Sequence, residues 1–250
     1  MGNKQSGGRE TGTNDTPVDY LSQQEWDVPQ GQTAHDAYQQ WDNQGVQVGE
    51  RAVSHRQDLH NTMRNTLRNT MMAGGDLRQL VKLPAQADRN DWLALNTIHF
   101  YKTCAAIFES LRHMCTKESC PMMCAGVTEY LWRDNKNYPR PTRVSAPEYI
   151  EFSLKEAMSV IENPEIFPTA DDVDFPPSFQ EKVREIFKRL FRLFAHLYYS
   201  HYESIKDKQR NKNLNSSFKH FIFFVLEFQL IDPDSLAPLQ KFIEHIVTKR

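Results

Sequence analysis

The 250-residue chain sets 30 Lys and Arg against 32 Asp and Glu, a formal charge of −2, with 39% hydrophobic and 25% charged residues. That balance suits one sizeable globular core and supplies no global field toward nucleic acid. No apolar run nears the roughly 20 residues of a membrane span, no secretory h-region is visible, and four Cys in 250 residues, none in a dense framework, suit a reducing compartment and metal binding better than disulfides.

Residues 1–50 hold seven of the ten glycines, nine glutamines and eight acids against Lys4 and Arg9. So few large apolar residues cannot offset the entropy of ordering, and the segment reads as a disordered acidic tail. Residues 51–75 turn basic. The four-residue repeat Asn61-Thr62-Met63-Arg64, Asn65-Thr66-Leu67-Arg68, Asn69-Thr70-Met71 puts Met63, Leu67 and Met71 on one helical stripe before Gly74-Gly75 ends it.

Residues 76–250 read as one all-α domain. Asn90 is the expected N-cap of a helix running to Leu111. Residues 129–132 and 142–144, joined across Asp134-Asn135-Lys136-Asn137, are expected to form a small β-hairpin. Ser145-Ala146-Pro147-Glu148 opens a helix to about Glu162, with the Ser/Glu spacing of a capping box. Pro164, Pro168, Pro176 and Pro177 mark an extended connector. Ser178 then caps a long helix with the stripe Val183, Ile186, Phe187, Leu190, Leu193, Phe194 and Leu197. A nearly all-apolar helix spans 215–228, and an amphipathic one closes the chain over 238–247.

Two pairs carry chemistry: Cys115-x₄-Cys120 and His196-x₄-His201. Thiolate and neutral imidazole are preferred Zn²⁺ ligands, and four of them close a tetrahedral site. The gap of residues 121–195 means that such a metal would staple a domain rather than fold a finger. Spacing alone leaves open the plainer reading of two Cys and two His with no shared task. Cys104 lies on an apolar helix as a core thiol; Cys124 is a spare thiol or an unexpected ligand. With four ligands available, and neither an H-E-x-x-H nor an H-x-E…C-x-x-C pattern to supply a general base, catalysis has little support.

On the long helix Lys188, Arg189 and Arg192 fall within one turn, and no acid occurs from 186 to 200. They form either a site for a dianionic phosphate or a solvated face with Glu185 pairing Arg189. At the N-terminus Met1-Gly2-Asn3-Lys4-Gln5-Ser6 fits the acceptor pattern for myristoylation of Gly2.

Taken together, Gly75-Asp76-Leu77-Arg78-Gln79, Asn90-Asp91-Trp92-Leu93-Ala94-Leu95, Cys115-Thr116-Lys117-Glu118-Ser119-Cys120-Pro121, Glu129-Tyr130-x-Trp132 and Ser145-Ala146-Pro147 resemble the Mob family. The run Lys188-Arg189-Leu190-Phe191-Arg192-x-x-Ala195-His196-x-Tyr198-x-x-His201 and the stretch Asn215-x-Ser217-Phe218-Lys219-His220 carry the resemblance most strongly. It covers about 74–248 and is nearest to the subgroup that activates NDR/LATS-type protein kinases. The resemblance implies an all-α helical bundle with a structural zinc and no enzymatic activity. It implies a kinase co-activator and adaptor, its partners being an NDR/LATS-type kinase and a phosphorylated upstream kinase or scaffold. It maps the zinc ligands onto Cys115, Cys120, His196 and His201. It maps phosphopeptide binding onto Lys188, Arg189 and Arg192, overriding the solvated-face reading. Asp88, Asp91, Trp92, Leu95 and His220 map onto the face that docks a basic kinase segment.

The chain departs from the pattern at Ala87 and His99, where kinase-activating members carry acids, and at Met71, where a regulatory Thr is expected and Thr70 lies one position early. The location expected is cytoplasmic, with partial membrane association through Gly2. A different class, a membrane-tethered phosphopeptide scaffold without kinase activation, stands beside the first reading. One geometric demand follows. On a regular helix His196 and His201 lie roughly 140° apart around the axis, so a shared zinc requires a local distortion, expected just after Leu197, near Tyr198 to Ser200.

Overall fold

The computed structural model describes residues 76–248, apart from 86, 206 and 207, together with Thr62 and Asn65 upstream; of 208–213 it describes the backbone alone. The expected tail, its Gly2 and the basic repeat therefore lie outside the described residues.

The described chain is mostly helical. Helix α1 (Leu77–Leu80) begins at Asp76, whose carboxylate accepts the Arg78 N–H. Helix α2 (Arg89–Leu111) starts one residue before the expected cap: Asp88, not Asn90, holds extended φ/ψ and accepts the N–H groups of Asn90 and Asp91. Both residues can cap, but only a side chain at 88 reaches the free donors of that first turn. Helix α3 (Ala146–Ile161) opens as expected, with Ser145 N–H and Oγ both donating to Glu148 Oε2 at 3.3 and 2.6 Å. Helix α4 (Phe179–Ser200) follows Ser178, whose hydroxyl makes no capping bond. After α5 (Tyr202–Ile205), helix α6 (Lys208–Phe228) begins earlier than its apolar run suggests. Its polar first turns carry no hydrophobic period to read. Helix α7 (Pro233–Leu236) and a 3₁₀ turn (Ala237–Leu239) lead into α8 (Gln240–Thr248). The 3₁₀ turn takes up Pro238, which lacks the N–H a continuous helix needs.

The hairpin falls elsewhere than expected. Strands β1 (Cys124–Ala125) and β2 (Thr128–Glu129) pair antiparallel, Cys124 opposite Glu129 and Ala125 opposite Thr128. Of the expected pairing between 129–132 and 142–144 one isolated bridge forms, Trp132 with Thr142, closed by reciprocal N–H···O bonds of 2.8 Å. Turn chemistry decides this. Gly126 adopts φ +58 between β1 and β2, a conformation that suits glycine. Asp134 instead gathers the backbone N–H groups of Lys136, Asn137 and Tyr138 into a wide loop.

Helix α4 is the centre of the bundle, packing against α2, α3 and β1 while α6 covers α1, α2 and α8. Its stripe is buried as expected, but so are Phe191, Ala195, His196 and Tyr198, so α4 is enclosed on more sides than a surface helix. Phe187 stacks on Phe221 and Phe224 at 5.4 and 5.6 Å and meets Phe100 edge-on at 5.7 Å. Truncating so enclosed a ring costs about 3–5 kcal/mol. Toward its C-terminus, Tyr198 packs on Phe218 and Phe242 and donates to Asn215 Oδ1 at 2.9 Å, so that a buried hydroxyl finds a partner.

Candidate metal centre and the basic face of helix α4

Cys115 sits just past the end of α2, its N–H donating to Leu111 O at 3.1 Å. The chain then turns back on itself: Cys120 N–H donates to Thr116 O, and Ser119 Oγ donates to Met114 O. This tight turn aims both thiols at α4. Cys115 Sγ lies 3.5 Å from His196 Nε2, and Cys120 Sγ lies 3.3 Å from His201 Nε2. The four ligand atoms fall within 4.8 Å of one another, all on buried residues. Metal–sulfur and metal–nitrogen bonds of about 2.3 and 2.0–2.1 Å give a tetrahedral S···N edge of about 3.5 Å. The two Cys–His edges already match that length, so the donor set suits a four-coordinate ion.

Local structure explains the convergence of the histidines. Helix α4 is regular through Ser200, and His201 N–H still donates to Leu197 O at 3.0 Å. The break expected near Tyr198 to Ser200 lies at His201 itself, with φ −126 and ψ 0. That φ, about 60° from helical, swings the His201 side chain about its N–Cα bond toward His196, and the imidazole centroids end 5.2 Å apart. A new turn starts at once, with Ser204 and Ile205 both donating to His201 O.

The tautomer of His196 is set by its other neighbour. Its Nδ1 is 2.9 Å from the carbonyl of Cys124, which can only accept, so Nδ1 carries the proton and Nε2 offers its lone pair to the metal position. Cys124 contributes through its backbone; its thiol is not among the four. Cys104 is fully buried, as expected of a core thiol. Burial, aided by Cys120, pushes the Cys115 thiol up to about 12, while burial lowers His196 to about 4 and moves His201 in the same direction. A divalent cation that displaces both thiol protons gives two thiolates, two neutral imidazoles and zero net charge, which suits burial. A pocket of about 310 Å³, lined in part by Met114, Pro121 and Met122, opens beside the cluster.

Two of the three cations, Arg189 and Arg192, face α3, while Lys188 turns toward the end of α6. Arg189 donates to Glu156 and lies 4.6 Å over the Trp132 ring. Arg192 donates to the Tyr149 hydroxyl and lies 5.0 Å over Tyr130. Lys188 reaches Asp232 at 3.8 Å. Glu185, expected to pair with Arg189 on a solvated face, instead pairs with Lys182 at 2.9 Å. The supporting rings and Glu156 come from other parts of the chain. Both rings come from Glu129-Tyr130-x-Trp132, whose place under the guanidiniums no local pattern announces.

On the expected docking face, only Asp88 is well exposed, and it is occupied as the α2 cap. Asp91 is 9% exposed, and Leu95 is half-buried against the core. Trp92 is 4% exposed, its indole N–H donating to Val81 O at 3.2 Å. His220 is buried between α6 and α2, 4.8 Å from Phe100 and 5.3 Å from His99. No helix among the described residues is long and apolar enough to cross a membrane.

Fold and site together define a helical domain whose centre is tied to a distant loop by a Cys₂His₂ cluster. The profile of the Mob1/phocein family matches residues 68–239, and the chain belongs to that family. It is 42% identical over 192 residues to the MOB kinase activator-like 1 homolog B of Dictyostelium discoideum, covering 76% of this chain and 87% of that protein. It is 44% identical over 177 residues to the MOB kinase activator-like 1B of Arabidopsis thaliana, covering 70% and 82%. The maintenance of ploidy protein mob1 of Schizosaccharomyces pombe is 41% identical over 177 residues, covering 70% and 84%.

Proposed function

We propose that this chain is a non-enzymatic adaptor and co-activator of an NDR/LATS-type protein kinase, stapled by a structural zinc and able to bind phosphorylated Ser/Thr peptides. The observation that carries the reading is the pair of guanidiniums on α4, each braced on an aromatic ring and reached by Lys188 one turn away. Bracing lowers the entropy a cation loses on pairing, and Arg matches a phosphate bidentately. The kinase enters from the relatives' names, two of which are kinase activators. Zinc is favoured by the S₂N₂ donor set and by the close approach of its four ligand atoms. All four positions are protein ligands, so the metal's task here is to hold the loop after α2 against α4, and no site is reserved for water.

On the separate docking face, a basic kinase segment would meet Asp88 and the half-exposed Leu95, with Trp92 and His220 shaping the floor beneath. Two measurements test the whole. The protein should raise the activity of an NDR-type kinase in a purified assay. It should also bind a phosphothreonine peptide and ignore its unphosphorylated form, with Lys188→Ala plus Arg189→Ala abolishing that binding while the melting curve is kept. Equal binding of both peptide forms, or no change in kinase rate, refutes the corresponding half. The Gly2 acceptor pattern supports a second reading, a tethered scaffold. One acyl chain gives only K of about 10⁴ M⁻¹, so that protein would be partly cytoplasmic. It would bind the phosphopeptide without stimulating the kinase.

A further inference from the structure

Of the three cations in the proposed phosphate site, Arg189 alone holds an anion at hydrogen-bond distance. Arg189 Nη1 donates to Glu156 Oε2 between α4 and α3. Arg192 pairs with a neutral hydroxyl, and Lys188 makes only a long contact with Asp232, itself 83% exposed. The two partners differ in freedom. The Arg189 side chain is 22% exposed and pinned on Trp132, whereas the Glu156 side chain is 41% exposed and can swing into water.

We infer that Glu156 is a resident competitor at this anion site: an incoming oxyanion binds by displacing its carboxylate from Arg189. The inference rests on the phosphopeptide reading above and sets its ligand preference. A carboxylate ligand would trade one singly charged partner of Arg189 for another, with little net gain. A phosphate brings about −1.5 to −2 charges and three acceptor oxygens, so it gains on exchange and also engages Arg192 and Lys188. Glu156 thus keeps side-chain carboxylates of other proteins off the site while phosphate passes.

The test is a titration of the full chain with phosphothreonine and, separately, with glutarate as a carboxylate probe. Glu156→Gln should tighten phosphothreonine binding about three- to ten-fold and bring glutarate binding up by a similar factor. Glu151→Gln removes the same charge from the same helix, but from a residue paired with Arg112; it should leave both affinities within about two-fold. Glu156→Ala should behave as the glutamine variant does, which excludes a new amide contact as the cause. Unchanged or weaker binding in E156Q overturns the inference, since Glu156 would then position Arg189 rather than compete for it. Equal gains in E156Q and E151Q also overturn it, by making the effect one of overall charge. If neither wild type nor E156Q binds phosphothreonine, the phosphopeptide reading itself fails and the inference falls with it.

Discussion

Removing the metal should cost this domain most of its stability. The Cys115–His196 link spans 81 positions, and closing a loop of that size by a cross-link restricts the unfolded chain by about 4–5 kcal/mol. That is a lower bound, because metal–ligand bonding itself can bring the total to ~10 kcal/mol at neutral pH. Domains of this size hold only about 5–15 kcal/mol in all, and each kcal/mol moves the midpoint by about 2–4 °C. Chelation should therefore lower the melting midpoint by at least about 10 °C, with near-stoichiometric zinc measured in the starting material. Cys120→Ser should reproduce the chelated curve. Cys124→Ser should shift it little, because the group that orients His196 is the Cys124 carbonyl, which serine keeps. Chelated protein melting with the untreated sample would refute the staple, and a Cys124→Ser curve matching Cys120→Ser would refute the assignment of the four ligands.

Three further outcomes are expected. Burial, with Lys102 adding to it, lowers His99 to about 4, so as pH falls the unfolded chain takes up that proton first. Stability from this residue is complete above about pH 6.5 and declines toward pH 4, by at most about 3 kcal/mol; denaturant melts of His99→Gln should show a flatter slope across that window, and an identical slope would count against it. Gln229 holds φ 54 where Leu230 N–H reaches back to Val225 O at the end of α6, so Gln229→Gly should stabilise by roughly 0.5–1 kcal/mol in the same melts. Gly126→Ala should destabilise by at least about 1–2 kcal/mol, since φ +58 disfavours a side chain and its Cβ would stand 2.8 Å from Tyr199 Cε1; a neutral substitution would mean that Tyr199 moves freely.

What the sequence made legible was local or periodic. The stripe from Val183 to Leu197, the Ser145–Glu148 cap and the two ligand pairs are patterns of fixed offset, and each survives intact in the fold. What it hid was the outcome of competition between neighbours or between distant segments. Asp88 and Asn90 are both good caps, and only the path of the preceding turn chooses Asp88. The strand signal in Glu129–Trp132 is split in the fold: Glu129 pairs back across the Gly126 turn with Cys124, while Trp132 keeps a single bridge to Thr142. At Ser200-His201-Tyr202 there is no Gly or Pro to announce a helix end. The break belongs to the loop and ligands brought there by the fold, so the need for it could be reasoned while its position slipped by one residue.

The metal cluster and the basic face share one helix, and this couples them. The run from Lys188 on α4 to His201 at its C-cap carries every proposed anion and metal contact on that side of the site. The loop that the cysteines anchor continues directly through β1 and β2 into Tyr130 and Trp132, the rings under Arg192 and Arg189. Releasing Cys115 and Cys120 frees the start of that segment, and the rings then lose their fixed place before the guanidiniums do. Partial metal removal should thus weaken phosphothreonine binding at temperatures where α4 is still folded, as followed by far-ultraviolet circular dichroism on the same sample. Binding that persists unchanged until the helix signal itself collapses would show that the rings are held by α3 alone, through Tyr149 and Phe152 against Trp132.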